Sequence, residues 1–430
     1  MAKLKIVWIC HFSNELVRKQ LNEGIGILEA IARKILNKPF NVCDFAQWNT
    51  NAIREFEKFT EDVELHVISP GYFMKGHESI FDENGIHYYF FKDERSFFDK
   101  IANKFWGRNP SYKKNRAYIK NKIEEIKPDL VHVIGAENPN YSLAALDTPN
   151  TIPLFVQLQT LLVDPDFQKN YPITQKMYDY KSGIERDILK KANYVGSPDE
   201  KFRKLLPSII SLHNPMIKIG LALTEPIDFS FEKKEFDFVY FALNISKAVD
   251  FAIEAFAIAC KEKPFITLDI VGEYSAALKV QLDSRIAELG IEKNVFFEGK
   301  QATHDDVIRQ IKKSRFALLP LKIDLISGTV RESMAKGLPV ITTITPATPK
   351  LNEKRESVLL SPIGDHKAMA ENMLKLLNDD ALAKKIQENA GITASERANN
   401  EQVIRKWIAA YHACVENFKN GTPIPQELLN

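Results

Sequence analysis

At 430 residues the chain is longer than one hydrophobic core ordinarily supports, so two domains of roughly 200 residues are expected. Hydrophobic residues make up 45% and charged residues 27%, an ordinary globular balance, and a formal charge of only +2 argues against nucleic acid as a partner. No charged-then-apolar leader stands at Met1-Ala2-Lys3-Leu4, and no apolar run reaches about 18 residues, so a cytoplasmic protein without a membrane span is expected. Cys10, Cys43, Cys260 and Cys414 are far apart and form no C-x-x-C pair, which predicts buried thiols rather than a disulfide framework. The nine histidines form no H-x-x-x-H or H-E-x-x-H pattern, so no metal held by the protein is expected.

Strand-like and helix-like runs alternate from the start. Leu4 to Cys10 reads as the first strand, Ile25 to Leu36 as an amphipathic helix, then Val63 to Ser69 and Ile86 to Phe91 as strands. Lys113 to Ile126 is helical, Leu130 to Ile134 and Ile152 to Leu158 are strands, Gln175 to Lys191 is helical, and Tyr194 to Ser197 closes the first half as a strand. Pro215, Pro226 and the run Glu232-Lys233-Lys234-Glu235 then interrupt the periodicity, which makes 215–235 a linker after a domain at 1–214. The pattern restarts with strands at Phe236 to Phe241, Ile266 to Val271, Val295 to Phe297, Phe316 to Leu319, Val340 to Thr342 and Val358 to Leu360. Helices fall between and after them at Ala248 to Cys260, Ala276 to Leu289, Asp305 to Lys312, Met369 to Leu377 and Ala381 to Ala390, giving a second domain at 236–395. In the remaining segment, 396–430, Ile404, Trp407, Ile408, Tyr411 and Val415 recur at helical spacing, so a last helix should pack back on the first domain. Alternating β and α elements predict an α/β protein with two Rossmann-like, doubly wound parallel sheets facing each other across a cleft.

The run from Pro320 to Ile341 holds the densest chemistry. Phe316 to Pro320 is a buried strand, Gly328 opens a helix, Gly337 closes it, and Asp324 and Glu332 stand at the mouth of this strand-loop-helix unit. Open parallel sheets bind ligands outside the carboxyl ends of their strands, and a helix N-terminus there offers unpaired amides to phosphate. A phosphorylated ligand is the natural expectation.

Four stretches in order, Lys247 to Phe256, Leu268 to Glu273, Asn294 to Gly299 and Glu332 to Ile341, resemble the donor domain of the group 1 glycosyltransferases. These are retaining, nucleotide-sugar-dependent enzymes of the glycogen synthase and sucrose synthase type, with an E-x7-E signature and the two-domain GT-B fold. In the first half the similarity thins to Pro128 to Val133 and to Glu185 ahead of Ala192-Asn193-Tyr194-Val195. The resemblance assigns Glu332 to the ribose hydroxyls, a job for which a carboxylate accepting from two vicinal hydroxyls is suited. It places Lys247 on the diphosphate and Asp324 near the donor sugar; with them it makes Glu332 a catalytic candidate. The family has glutamate where Asp324 stands, and aspartate reaches about 1.5 Å less far. The family also has arginine where Ala242 stands, so one phosphate cation is missing.

Gly272 and Glu273, after a strand, and Ser327, Gly328 and Thr329, at the helix start, are expected to bind the donor through backbone approach and amides. On the acceptor side, Ser13 and Asn14 follow the first strand, Gly24 and Gly26 precede the first helix, and Glu137 follows Gly135-Ala136. Gln157 and Gln159 stand where the family often has a histidine, and Asp164-Pro165-Asp166 imitates a metal motif of another glycosyltransferase fold. A basic, aromatic segment from Ser96 to Lys122 could rest on an anionic bilayer at the inner face of the membrane; a solvated helix with its own core stripe is the preferred account of it. The resemblance implies transfer of a sugar, with retention, from a nucleoside diphosphate donor to a hydroxyl on a glycan or lipid-linked glycan, with no cofactor and no metal. A non-catalytic sugar-nucleotide-binding subunit and a sugar-nucleotide epimerase are the alternatives.

Overall fold

A computed structural model describes residues 3–21, 23–36, 42–94, 110–165, 167, 174–222, 227–230, 232–241, 248–322, 327–345, 347–397 and 399–429. The chain divides into two compact units, Met1–Ala222 with Asn400–Asn430, and Leu223–Asn399. Among the described residues no helix is long and apolar enough to cross a membrane.

The first unit is built on β1 (Leu4–Ile9), β2 (Val63–Gly71), β3 (Glu78–Glu83), β4 (Ile86–Lys92), β5 (Leu130–Ile134), β6 (Leu154–Gln157) and β7 (Tyr194–Gly196), in the order β3-β4-β2-β1-β5-β6-β7. Every pairing is parallel except that of β3 with β4, which amends the expected all-parallel sheet. The cause is local: Asn84 and Gly85 both take positive φ, the two-residue turn whose twist suits a tight antiparallel hairpin. β1 is buried on both faces except at Lys5 near its start, as befits a central parallel strand. Ile6 and Trp8 face one core with Ile53 and Phe56 of the helix Gln47–Phe56, while Val7 and Ile9 face another with Ile119 and Ile123 of the helix Lys113–Ile126.

The helix Asn400–Asn420 contributes Ile404, Trp407, Tyr411, Cys414 and Val415 to the first of these cores. Tyr411 anchors it through polar contacts as well: the Trp8 indole donates to its hydroxyl at 2.9 Å, and that hydroxyl lies 2.7 Å from His132 Nδ1. Burial holds His132 well below the ordinary histidine range, at about 3, so the imidazole sits neutral in the core.

The second unit holds β8 (Phe236–Phe241), β9 (Leu268–Val271), β10 (Val295–Gly299), β11 (Ser314–Leu319), β12 (Val340–Thr343) and β13 (Leu359–Ser361), all parallel, in the order β10-β9-β8-β11-β12-β13. One face of the sheet packs on the helix Val249–Glu262 through Phe256 and Ala259, the other on the helices His304–Lys312 and Gly328–Ala335 through Ile311, Val330 and Met334. Residues 215–235, read as a linker, divide between the units: Ile217 bridges Gly196, and Asp228 accepts from buried Lys312 at 2.9 Å.

Candidate functional site

Numbered in chain order, both sheets follow the arrangement 3-2-1-4-5-6, with β3 added as an outer antiparallel edge to the first. Strand order reverses between β1 and β5 in the first unit and between β8 and β11 in the second. At such a switch point the loops leaving neighbouring strands turn to opposite faces and open a crevice at the carboxyl ends.

In the second unit the helix Val249–Glu262 starts beside the end of β11, where the Ala248 amide lies 3.4 Å from the Pro320 carbonyl. Lys247 directly precedes it, and Asp324 belongs to the loop between β11 and the helix Gly328–Ala335; both, and Ala242, lie outside the described residues. The helix that begins at Gly328 does so because Ser327 caps it, its hydroxyl accepting from the Thr329 amide at 3.3 Å and lying 2.7 Å from Thr329 Oγ1. Of the amides assigned to phosphate, that of Thr329 therefore already has a partner in Ser327. Among the described residues Gly328 has nothing within 4 Å of where a Cβ would stand. Glu332, one turn on, is half-buried. Gly272 adopts φ +138°, a conformation favouring glycine, and its amide donates to the Gly299 carbonyl at 2.8 Å; Glu273 pairs with Lys300 at 2.9 Å.

In the first unit the switch point brings together residues from four loops. His11, after β1, lies 3.1 Å through Nδ1 from the Tyr72 hydroxyl after β2. The Asn140 amide donates to that hydroxyl at 3.3 Å and to Asp93, after β4, at 3.2 Å; Asp93 also accepts from Asn115 at 3.1 Å. Sequence reasoning singled out none of Tyr72, Asp93, Asn115 and Asn140, although Tyr72 and Asp93 each directly follow a strand.

Glu137, after β5, stands beside this network, half-buried as a residue with its Oε2 turned inward. With its amide oriented to suit its neighbours, Gln159 donates to Glu137 Oε1 at 3.1 Å and accepts from the Trp48 indole at 2.8 Å; Asn138 also donates to Oε1, at 3.0 Å. Glu137 Oε2 is buried with no hydrogen-bond partner among the described residues. Burial pushes Glu137 up to about 7, against the pull of Lys181. Glu185, which accepts from the Val163 amide at 2.8 Å, is pushed up to about 8 by burial and by the nearby Glu137.

A carboxyl whose folded value is raised favours the folded state below its unfolded value, and that contribution is lost as pH rises through the folded value. For Glu137 the window runs from 4.5 to about 7, and at about 1.4 kcal/mol per decade of proton affinity the loss is on the order of 3 kcal/mol. Urea denaturation from pH 5 to pH 8 should show Glu137→Gln losing less stability than the natural chain by that order; parallel curves would mean that the carboxyl ionises unhindered.

The other acceptor-side candidates carry structural duties. Ser13 pairs with Phe45 through backbone hydrogen bonds and accepts from Arg18 at 3.3 Å. Asn14 accepts from the Val17 amide at 2.9 Å, starting a short helix at Glu15–Leu21, so Gly24 and Gly26 precede the second helix rather than the first. Both glycines line a groove with Tyr72, Met74, Asp93 and Lys114. Gln157 turns into the core, donating to the Gly220 carbonyl at 2.6 Å. Asp164 pairs with Lys201 at 2.7 Å. Of the basic segment, 96–109 lies outside the described residues. On the helix Lys113–Ile126, Tyr118 packs on Phe91 and donates to Glu78 at 3.0 Å, while Ile119 and Ile123 are core, so the described part is a helix with its own apolar stripe.

Two parallel α/β units in tandem, each with its polar residues gathered at the switch point of its strands, define the two-domain GT-B fold. Residues 225–392 match the family described as Glycosyl transferases group 1. The N-acetyl-alpha-D-glucosaminyl L-malate synthase of Bacillus anthracis is 27% identical over 136 residues, 32% of this chain; the match spans only 35% of that relative's length. HepE of Anabaena, solved with UDP and glucose, superposes with a TM-score of 0.63 at 14% identity, covering 95% of this chain and 100% of that one. Sucrose-phosphate synthase of Thermosynechococcus elongatus gives 0.63 at 15% identity, covering 95% and 98%.

Proposed function

We propose that the chain is a glycosyltransferase moving a sugar from a nucleoside diphosphate donor to a hydroxyl of a glycan or lipid-linked glycan, with retention of configuration. The observation that carries this is that the matched domain, 225–392, has its strand-order switch between β8 and β11, and that the segments following these strands carry Lys247 in the one, and Asp324 and then the helix with Gly328 and Glu332 in the other. Lys247 and the Gly328 helix end meet the charge that grows on the diphosphate as the glycosidic bond breaks, Glu332 holds the ribose, and Asp324 orients the sugar. With that one cation and the helix end in place, the proposed transfer step uses no metal. The leaving phosphate takes the proton of the attacking hydroxyl on the same face of the sugar. The structural neighbour HepE, solved with UDP and glucose and with UDP-glucose, supports a uridine donor. A stripe of exposed Ile27, Leu28, Ile31 and Ile35 beside the acceptor-side groove supports a lipid-linked acceptor.

A thermal-shift panel of uridine, guanosine and adenosine diphosphate sugars tests the donor. A ligand that binds only the folded chain at 100 times its Kd adds about 2.7 kcal/mol, and one base should stand out. No response to any of the three would sink the reading. Ala242 and Asp324, which depart from the family pattern, favour as a second reading a subunit that binds donor without turning it over; binding without slow donor hydrolysis would select it. An epimer formed from donor alone would select the epimerase instead.

A further inference from the structure

Away from the strand mouths, the edge of the first sheet carries a cluster of imidazoles and carboxylates. Glu64 and His66 stand two residues apart in the amino-terminal half of β2 and so share a face, at the opposite end of the strand from Tyr72. On β4, His87 is directly opposite His66, and on β3, Asp82 is directly opposite His87. The two imidazoles stack with centroids 4.6 Å apart. One ligating atom from each of Glu64, His66 and His87 lies within 4.8 Å of the other two.

Each ring is held through one nitrogen by an outer group. His87 Nδ1 lies 2.6 Å from Asp82 Oδ1, and His66 Nδ1 lies 3.1 Å from the Tyr89 hydroxyl. In both rings Nε2 is the remaining nitrogen, and that of His66 meets Glu64 Oε1 at 2.8 Å. An imidazole oriented by a carboxylate or hydroxyl on its far nitrogen is the usual dress of a metal-ligating histidine.

We propose that Glu64, His66 and His87 form a binding site for one divalent transition ion of the zinc class, oriented by Asp82 and Tyr89. Two imidazoles and one carboxylate suit such an ion and leave a position for water, whereas magnesium and calcium take all-oxygen sets. Tetrahedral zinc ligands stand roughly 3.3 Å apart, so the cluster closes on the ion by small movements of Glu64 and His87, whose side chains are 33% and 35% exposed. Lys5 lies 3.3 Å from Glu64 Oε1 with its side chain 37% exposed, and the ion displaces it toward solvent. On metal binding His66 takes the neutral tautomer protonated at Nδ1, the proton moving from Nε2 to Nδ1 by exchange with solvent, so that Nε2 is free for the ion and the Nδ1–H donates to the Tyr89 hydroxyl. The ion ties β2 to β4, and through Asp82 to the edge strand β3. This site is independent of the glycosyl-transfer reading, since none of its residues stands at a strand mouth.

The test uses full-length protein in a Cys43→Ser background, so that the half-buried thiol does not compete. Metal-stripped protein is dialysed against Zn2+ alone and against Mg2+ alone, and bound metal is counted. One Zn2+ per chain, no Mg2+, and a higher melting temperature with Zn2+ are expected. His87→Ala, a surface change whose folding is checked by circular dichroism, should weaken Zn2+ at least tenfold, and Asp82→Asn about 10- to 100-fold. Glu64→Gln gives a second ligand variant should His87→Ala fail to fold. Substoichiometric Zn2+ on the parent chain, or ligand variants that bind as tightly as the parent, would overturn the site.

Discussion

Lys247→Ala is expected to lower sugar transfer about 10- to 150-fold, the range of a charge-assisted hydrogen bond of about 1.5–3 kcal/mol present in the transition state. The diphosphate gains negative charge as the glycosidic bond breaks, so a cation before the helix Val249–Glu262 acts more strongly on the transition state than on the bound donor. The loss should therefore appear chiefly in kcat. Glu332→Ala, expected to cost at least tenfold in kcat/KM, removes the proposed ribose contact, one made equally in both states, and should appear chiefly in KM. The two variants thus separate the roles. Full turnover in both would remove the donor assignment, whatever the nucleotide panel had shown.

Trp407→Ala is expected to cost about 3–5 kcal/mol of stability, as large-to-small changes of buried aromatics do. Its side chain is fully buried, packs edge-on against Trp8 at 5.3 Å and His132 at 5.2 Å, and donates to the Gly220 carbonyl at 2.8 Å. Gln157 donates to the same carbonyl at 2.6 Å, so removing the indole opens a cavity and weakens the tie between the last helix and the segment leaving the first unit. At roughly 2–4 °C per kcal/mol for a unit of this size, the melting temperature should drop by about 10 °C. Trp407→Phe, which keeps most of the ring and loses the donor, should fall between. A Trp407→Ala stability within about 1 kcal/mol of the parent would show that the last helix is not anchored in this core.

The sequence read well wherever burial was uniform. β1, β5 and β8 are dominated by apolar residues, with one polar residue each in Lys5, His132 and Asp237, because a parallel strand covered on both faces shows little polar side, and the helices Lys113–Ile126, Gln175–Lys191 and Ala276–Leu289 fall where the amphipathic pattern predicts. Elements without that contrast escaped. The helix Gln47–Phe56 buries Asn49, Thr50 and Asn51, so polar residues sit where the pattern demands apolar ones. β3 alternates exposed and half-buried residues and carries three carboxylates, and the Asn84-Gly85 turn that announces it was its one clear signal.

By itself, then, the chain's order of residues determined two α/β halves and the loop from Pro320 to Glu332 on which a sugar nucleotide is proposed to sit, because local periodicity and a contiguous motif need no knowledge of distant neighbours. Only the tertiary structure decided what depends on register and burial. It drew Glu137 out of water, turned Gln157 into the core, gave Ser13 and Asn14 to local structure, and set His87 of one strand across from His66 of another. Proton affinity follows from surroundings, and a ligand set follows from strand pairing; neither is written in spacing along the chain.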